Sequence, residues 1–439
     1  MKIGFVSLGC AKNLTDAETM AGILISEGHE VCDDVNEAEA VIVNTCGFID
    51  SAKEESIDAI LDMAQLKEGN CKLLIVTGCL AQRYSEEFLE NFPEVDAVVG
   101  TGSYTEISDV IKRADSGEKC VVTADIDAPV EEDDRRINTC GAFAYLKIAE
   151  GCDNKCTYCI IPKLRGKYRS RKPEYIIKEA ESLAKDGVKE LIIIAQDTSR
   201  YGEDLDENIN LSGLLKELCK TDGIEWIRVL YLYPEMITDE LIKTFSENEK
   251  IVPYVDMPIQ HCNDAILKRM GRRTSKEQIL SVIEKLRKNV KDITLRTSLI
   301  TGVPGETAEQ FEELLEFVKE VKFDRLGAFA YSKEEDTPAA LLPNQLDEEE
   351  KERRAELVMA AQSKISKEKQ KQKEGKTLKV LTEGYDEDNF MYYGRSQSDA
   401  PEVDTLVYFA SEDETEIGSF ADILILDSDE YDLTGKRLV

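Results

Sequence analysis

Cys152, Cys156 and Cys159 stand in the segment Glu150-Gly-Cys-Asp-Asn-Lys-Cys-Thr-Tyr-Cys, a C-x-x-x-C-x-x-C triplet. Three thiolates in one short loop hold three irons of a 4Fe–4S cube and leave the fourth open to a small molecule. Four-cysteine sites, the usual electron-transfer arrangement, leave no such vacancy. A zinc site wants two paired cysteine spacings, or histidines, to complete a tetrahedron. The only histidines, His29 and His261, are not near the triplet in sequence. The spacing therefore points to an iron–sulfur site with an open iron.

Three further cysteines attract notice through the elements that carry them. Ile3–Leu8, Ala40–Val43 and Leu73–Val76 read as strands too apolar on both faces to be half-exposed, with helical patterns such as Thr15–Gly28 and Ser51–Ala64 between them. That alternation predicts an open, mostly parallel α/β domain over residues 1–115. Each strand runs straight into a cysteine: Gly9-Cys10, Thr45-Cys46 and Gly78-Cys79. In a parallel sheet the carboxyl ends share one edge, where ligands bind. Cys10, Cys46 and Cys79 are thus expected to converge as a second three-thiolate metal site. A buried core thiol is the bland reading for any one of them, and it weakens when three stand in register.

Residues 113–140 read as an acidic, turn-rich connector containing Glu131-Glu-Asp-Asp and Arg135-Arg136. Beyond it the βα alternation resumes, with strands expected at Phe143–Ala149, Glu190–Ala195, Trp226–Tyr231, Tyr254–Ile259, Thr294–Ile300 and Arg325–Ala330, and helices such as Pro173–Lys185 and Glu309–Val321. Six such units predict a partial (β/α)6 TIM-like barrel over 138–368, whose chemistry sits at the carboxyl-end face. The Cys152 triplet follows the first of these strands. Asp347–Lys373 reads as a charged helical connector. Short β-rich runs at Thr377–Glu383, Thr405–Phe409 and Asp422–Leu426 predict a small antiparallel β-barrel over 371–439.

Composition bounds the rest. The 439 residues call for two or three domains. Neither end shows a bilayer-spanning run or a signal-peptide pattern, so a cytoplasmic protein without a membrane partner is expected. Twelve cysteines in that setting favour metal and redox chemistry over disulfides. Cys32, Cys71, Cys120, Cys140, Cys219 and Cys262 receive no site and are read mostly as inert thiols. The net charge is −33, and residues 376–439 hold sixteen acidic against five basic residues. Such a surface repels phosphates and draws a basic protein.

The cysteine triplet, the partial barrel and the open iron resemble the radical S-adenosylmethionine (radical SAM) superfamily. The N-terminal cysteines and the small last barrel narrow the resemblance to the methylthiotransferases, whose last domain is called TRAM. Ser7-Leu-Gly-Cys-Ala-Lys-Asn-Leu, Asn44-Thr-Cys-Gly-Phe-Ile-Asp-Ser-Ala-Lys-Glu-Glu-Ser, Asp256-Met-Pro-Ile-Gln-His and Tyr392-Tyr-Gly-Arg-Ser-Gln-Ser-Asp-Ala-Pro-Glu-Val-Asp are similar to the branch that modifies an aspartate of small-subunit ribosomal protein twelve. The tRNA-modifying sister branch typically reads Tyr-Gly-Cys-Gln-Met-Asn where this chain has Leu8-Gly-Cys-Ala-Lys-Asn.

The resemblance implies methylthiolation of an aspartate β-carbon with two 4Fe–4S clusters and SAM. Cys152, Cys156 and Cys159 would hold the cluster that cleaves SAM to a 5′-deoxyadenosyl radical; Cys10, Cys46 and Cys79 would hold the cluster that carries the sulfur. It implies a basic ribosomal protein as substrate, a flavodoxin- or ferredoxin-like electron donor and a monomer, and it disfavours nucleic acid as direct substrate. Methylthiolation of a tRNA adenosine is the nearest alternative, and a zinc-binding adaptor the alternative of another class.

Other segments carry a role beside a bland reading. Gly302-Val-Pro-Gly-Glu, with Gly302 and Gly305, resembles the family's glycine segment beside the SAM adenosine, although Gly-x-x-Gly alone is more often a turn. Gln196 and Gln260 follow the second and fourth barrel strands, where contacts to SAM fall, or cap helices. Tyr158, between two ligands, packs either on adenine or in the core. Lys163, Arg165, Lys167, Arg169, Arg171 and Lys172 form a basic run that is either a solvated face or a counter-charge to the cluster or to a carboxylate. Tyr385, Phe390, Tyr392, Tyr393, Tyr408 and Phe409 serve as stacking aromatics or, for most, as barrel core.

Overall fold

The run Ala-Val-Ile-Val-Asn-Thr is buried along its whole length, which only the middle of a sheet covered on both faces allows. In the computed structural model, which describes residues 1–130, 132, 136–205 and 208–438, that run is β3 (Ala40–Thr45) of a six-stranded parallel sheet. Its partners are β1 (Lys2–Ser7), β2 (Glu30–Cys32), β4 (Leu73–Gly78), β5 (Ala97–Val99) and β6 (Cys120–Val122), in the order β2-β1-β3-β4-β5-β6. Helix α1 (Ala11–Ser26) packs Met20, Ile23 and Leu24 on one face, and α2 (Asp50–Gln65) packs Ile60 on the other. The short strands β2, β5 and β6 escape a reading by periodicity because three residues carry no alternation. β6 lies within the stretch read as connector. Of the expected acidic turn, Glu131, Asp133, Asp134 and Arg135 lie outside the described residues, while Arg136 is buried in ion pairs with Glu18 and Glu179.

The central domain is the expected six-stranded open sheet. β7 (Phe143–Lys147) precedes a short antiparallel pair, β8 (Ala149–Glu150) with β9 (Arg169–Ser170). β10 (Glu190–Ile194), β11 (Trp226–Val229), β12 (Ile251–Asp256), β13 (Thr294–Thr301) and β14 (Arg325–Ala330) complete a parallel sheet ordered β14-β13-β12-β11-β10-β7. A barrel short of two strands exposes its inner face unless something fills it. Here Tyr145, Ile192, Ile194, Trp226 and Tyr254 are covered from one side by Ala11 and Leu14 of α1, and from the other by Leu381, Ala400 and Phe420 of the last domain. Both flanking domains are thus part of one interior. Among the described residues, no helix is long and apolar enough to cross a membrane.

The last domain is a closed barrel of β15 (Thr377–Asp386), β16 (Met391–Ser396), β17 (Val407–Ala410), β18 (Phe420–Ser428) and β19 (Leu433–Arg437), ordered β15-β16-β17-β19-β18. It is antiparallel apart from β17 and β19, which run parallel. Phe409 is core, with Tyr392 stacked on it at 5.7 Å between centroids. Phe390, 78% exposed, and Tyr385 stay at the surface.

This barrel is fixed to the central sheet by buried charge. Glu190 accepts from Arg228 Nε and from Arg395 Nη2, both at 2.7 Å, and all three are essentially without solvent. Burial would push the Glu190 carboxyl up, but the two guanidinium groups hold it below the usual carboxylate range. Glu190→Gln leaves Arg228 without a carboxylate and Arg395 with Glu383 alone, so a loss of about 3–5 kcal/mol is expected at neutral pH. A depressed folded-state pKa means that this stability is complete above the unfolded value of about 4.3 and fades as pH falls below it. Urea midpoints of wild type and variant are therefore expected to differ most near pH 7 and to converge below about pH 4; a pH-independent gap would refute the ionic origin.

Candidate metal centre

Cys10, Cys46 and Cys79 meet at the carboxyl edge of the N-terminal sheet. Two glycines make this possible. At Gly9 (φ 88°) an added Cβ would lie 2.8 Å from Cys46 Cβ and 3.1 Å from its Sγ; at Gly78 (φ 96°) it would lie 2.5 Å from the Thr45 carbonyl oxygen. Only residues without a side chain let the three loops close to this distance in a left-handed backbone. Asn13 ties them together. Its Nδ2 donates to the carbonyls of Leu8 (3.0 Å) and Thr45 (2.9 Å), and its Oδ1 lies 3.6 Å from Cys79 Sγ.

The three thiols differ electrostatically. Cys10 is open to solvent by area yet lies in a recess crowded by protein atoms. Burial there opposes ionisation, but the Lys12 and Arg165 charges and backbone N–H groups hold its thiol below the usual value. It also occupies the N-cap position of α1, with no side-chain capping bond, and a helix N-terminus favours a thiolate. Burial pushes Cys46 up to about 12, with the neighbouring Cys79 and Cys10 adding to the rise, and Cys79 is raised mainly by burial.

Cys152, Cys156 and Cys159 form the second group, with Cys152 and Cys156 buried. Burial raises Cys152 to about 11 and lifts Cys159, beside Cys156 and Cys152, further still. Burial that disfavours the thiolates, with repulsion between them once ionised, makes Cys152 and Cys159 ligands that a cationic body would ionise, its binding expelling the protons. Among the described residues no group of three or more His, Cys, Asp or Glu is placed to hold one metal ion. A cube bound at three corners asks for thiolates set around it rather than clasped on one point. The donor chemistry fits iron–sulfur clusters at both triplets.

The two groups are neighbours. Cys79 packs against Ile160 and Leu164, residues just past Cys159. Arg165, 2% exposed, ends the short helix Ile161–Arg165. It pairs with Asp16 (2.9 Å) and Glu150 (3.1 Å) and donates to Asn13 Oδ1. Lys147 pairs with the same two carboxylates. Within the basic run, Arg165 and Arg171 are thus buried against carboxylates, Arg171 on Glu132 and Glu179, whereas Lys163 and Lys167 remain exposed.

The residues expected around SAM fall into two places. Tyr158 packs with Ile266, Met270, Ile300 and Val303, beside Gly302 and near Gln260, whose left-handed backbone (φ 70°) bridges to β13. At Gly302 a Cβ would strike Lys351 Cγ at 2.4 Å, and at Gly305 Arg269 Nη1 at 2.7 Å, so both glycines serve close packing. Gln196 stands apart: its Nε2 donates to Glu150 at 2.8 Å, and its Oε1 is buried with no partner among the described residues. Arg272 Nε is likewise buried without one, above the Tyr233 ring at 4.1 Å. Unpartnered buried polar atoms suit a polar ligand. Sequence reasoning gave no role to Asn13, Asp16, Lys147 and Tyr233 because their partners are up to 152 residues away; Asn13 falls within the Ser7–Leu14 segment, whose spacing assigns it nothing.

Three family descriptions match the chain: the Radical SAM superfamily over 146–318, the uncharacterized protein family UPF0004 over 2–100, and the TRAM domain over 375–438. It is 56% identical to "Ribosomal protein uS12 methylthiotransferase RimO" of Clostridioides difficile (strain 630), over all of this chain and 99% of the relative. It is 50% identical to the protein of the same description from Acetivibrio thermocellus, over 99% and 98%. Among solved structures, the radical SAM methyltransferase TsrM of Kitasatospora setae aligns over 77% of each chain with a TM-score of 0.57 at 14% identity. That likeness speaks to the fold alone.

Proposed function

The chain belongs to the ribosomal protein uS12 methylthiotransferase family, and from that premise we propose how its two thiol triplets divide the work. It is a radical SAM enzyme that methylthiolates the aspartate β-carbon of uS12, using a 4Fe–4S cluster and SAM. We assign that cluster to Cys152, Cys156 and Cys159, and a second one to Cys10, Cys46 and Cys79. When bound, the first supplies with SAM the radical needed to break an unactivated carbon–hydrogen bond, and the second supplies the sulfur. The observation that carries the assignment is the packing of Cys79 on Ile160, which sets one triplet beside the other.

The protein's own residues hold this arrangement. Arg165 and Asn13 lock the cysteine loops to each other, and α1 with the last barrel keeps water from the inner face of the central sheet. Gln196, Tyr158, Gln260, Gly302 and Gly305 form the SAM environment in this reading. We divide the chain into units of 1–115, 138–368 and 371–439, acting as a single chain with a flavodoxin- or ferredoxin-like donor in the cytoplasm. The aromatic and acidic face of the last barrel, with Phe390, Glu412, Asp413 and Glu414, suits a lysine- and arginine-rich substrate rather than tRNA.

Incubating the reconstituted enzyme with SAM, a reductant and either uS12 or tRNA tests this. A gain of about 46 Da on uS12 alone, the mass of one inserted methylthio group, is expected. A gain on tRNA alone would overturn the substrate.

A further inference from the structure

Lys12, two residues past Cys10, is buried to 6% exposure at the start of α1. Burying an ammonium without a counter-charge is costly, and the neighbouring cations avoid it: Lys147 and Arg165 each pair with both Asp16 and Glu150. Lys12 does not. No carboxylate among the described residues forms an ion pair with it; its Nζ rests instead over the Tyr231 ring, 3.3 Å from the centroid. A ring face attracts a cation, yet leaves its outward N–H bonds unanswered.

Tyr231 is itself fixed in place. It follows β11 at the carboxyl end of the central sheet and has a left-handed backbone (φ 62°). Its N–H donates to Asp256 Oδ2 at 3.0 Å, and its carbonyl accepts from Thr198 N–H at 3.1 Å. A bulky residue fixed in that conformation marks a place where surrounding structure enforces geometry. Ala11, Leu14, Leu230 and Tyr231 pack in one cluster, so Lys12 stands where α1 closes over the mouth of the central sheet. Its charge also reaches Cys10.

We propose that the Lys12 ammonium, seated on the Tyr231 ring beside Cys10, receives the side-chain carboxylate of the substrate aspartate. The proposal rests on the uS12 reading above and extends it to the group that is recognised. In a chain of net charge −33, a buried cation next to the sulfur-bearing triplet that forms no ion pair among the described residues selects a carboxylate and disfavours a neutral amide. Anchoring the carboxyl carbon also fixes the β-carbon, which is bonded directly to it, at a set distance from the triplet.

The test compares kcat/KM for uS12 and for its form with asparagine at the target aspartate, using reconstituted wild-type, Lys12→Met and Lys12→Arg enzymes. A charge-assisted contact predicts that wild type prefers aspartate by about 10- to 100-fold. Lys12→Met is expected to lose a similar factor on aspartate and to discriminate little, while Lys12→Arg keeps the preference. Iron and sulfide content checks assembly, with Lys12→Gln replacing the methionine variant should that lose iron. A fully loaded Met or Gln variant that still prefers aspartate as wild type does would refute the role of Lys12. A wild type that modifies tRNA and not uS12 would instead remove the substrate reading, a failure distinguishable from the first.

Discussion

Cys46→Ala enzyme, reconstituted with iron and sulfide, is expected to bind about four irons rather than about eight per chain, to go on cleaving SAM under reductant, and to form no methylthiolated uS12. The reason is positional. Cys46 stands beside Cys10 and Cys79, packed closely enough against Gly9 that even a Cβ there would meet its Cβ at 2.8 Å. Losing one of three thiolates at such a site removes the cluster rather than weakening it. Cys152→Ala in the same assay is expected to lose SAM cleavage as well. Anaerobic product analysis by mass spectrometry separates the two variants, and normal methylthiolation by Cys46→Ala would sink the assignment of a second cluster.

Arg165→Met is expected to cost about 3–5 kcal/mol of stability, because it removes the cation that two buried carboxylates share. Asp16 and Glu150 would be left to Lys147 alone, and Asn13 would lose the guanidinium that fixes its Oδ1. Burial would push the Glu150 carboxyl up, but Arg165 and then Lys147 hold it well below the usual range. Arg165→Lys keeps charge but loses the planar fork that reaches two carboxylates and an amide together, so it should fall between. Urea unfolding gives the stability, and iron content gives the effect on the Cys10 triplet. A stable Met variant with both clusters intact would show that the network between the triplets is dispensable.

Much of this arrangement is legible in the sequence. The C-x-x-x-C-x-x-C spacing is a local signal, as thiolates within eight residues share a loop in any fold. The Cys10, Cys46 and Cys79 set was readable at one remove: apolar runs predicted parallel strands, and parallel strands bring their carboxyl ends together. The basic run after Cys159 was visible as a run, but which members turn inward was not. Arg165 and Arg171 are buried and Lys163 and Lys167 are not, a choice made by the carboxylates facing them from α1, β8 and the helix Pro173–Lys185. The glycines of Gly302-Val-Pro-Gly likewise showed their spacing, while their close contacts with Lys351 and Arg269 came only with the packing of distant segments.

Sequence by itself determined the spacing of the thiols, their positions at strand ends, the acidic last domain and the order of the three units, because each depends on spacing or composition within a few residues. Tertiary structure alone decided that the two triplets touch through Ile160, that the flanking domains fill the open barrel, and that Lys12 lies buried on Tyr231 with no ion pair among the described residues. Those are meetings of side chains up to hundreds of residues apart. A chain records such a meeting only through the packing and charge balance that the folded state completes.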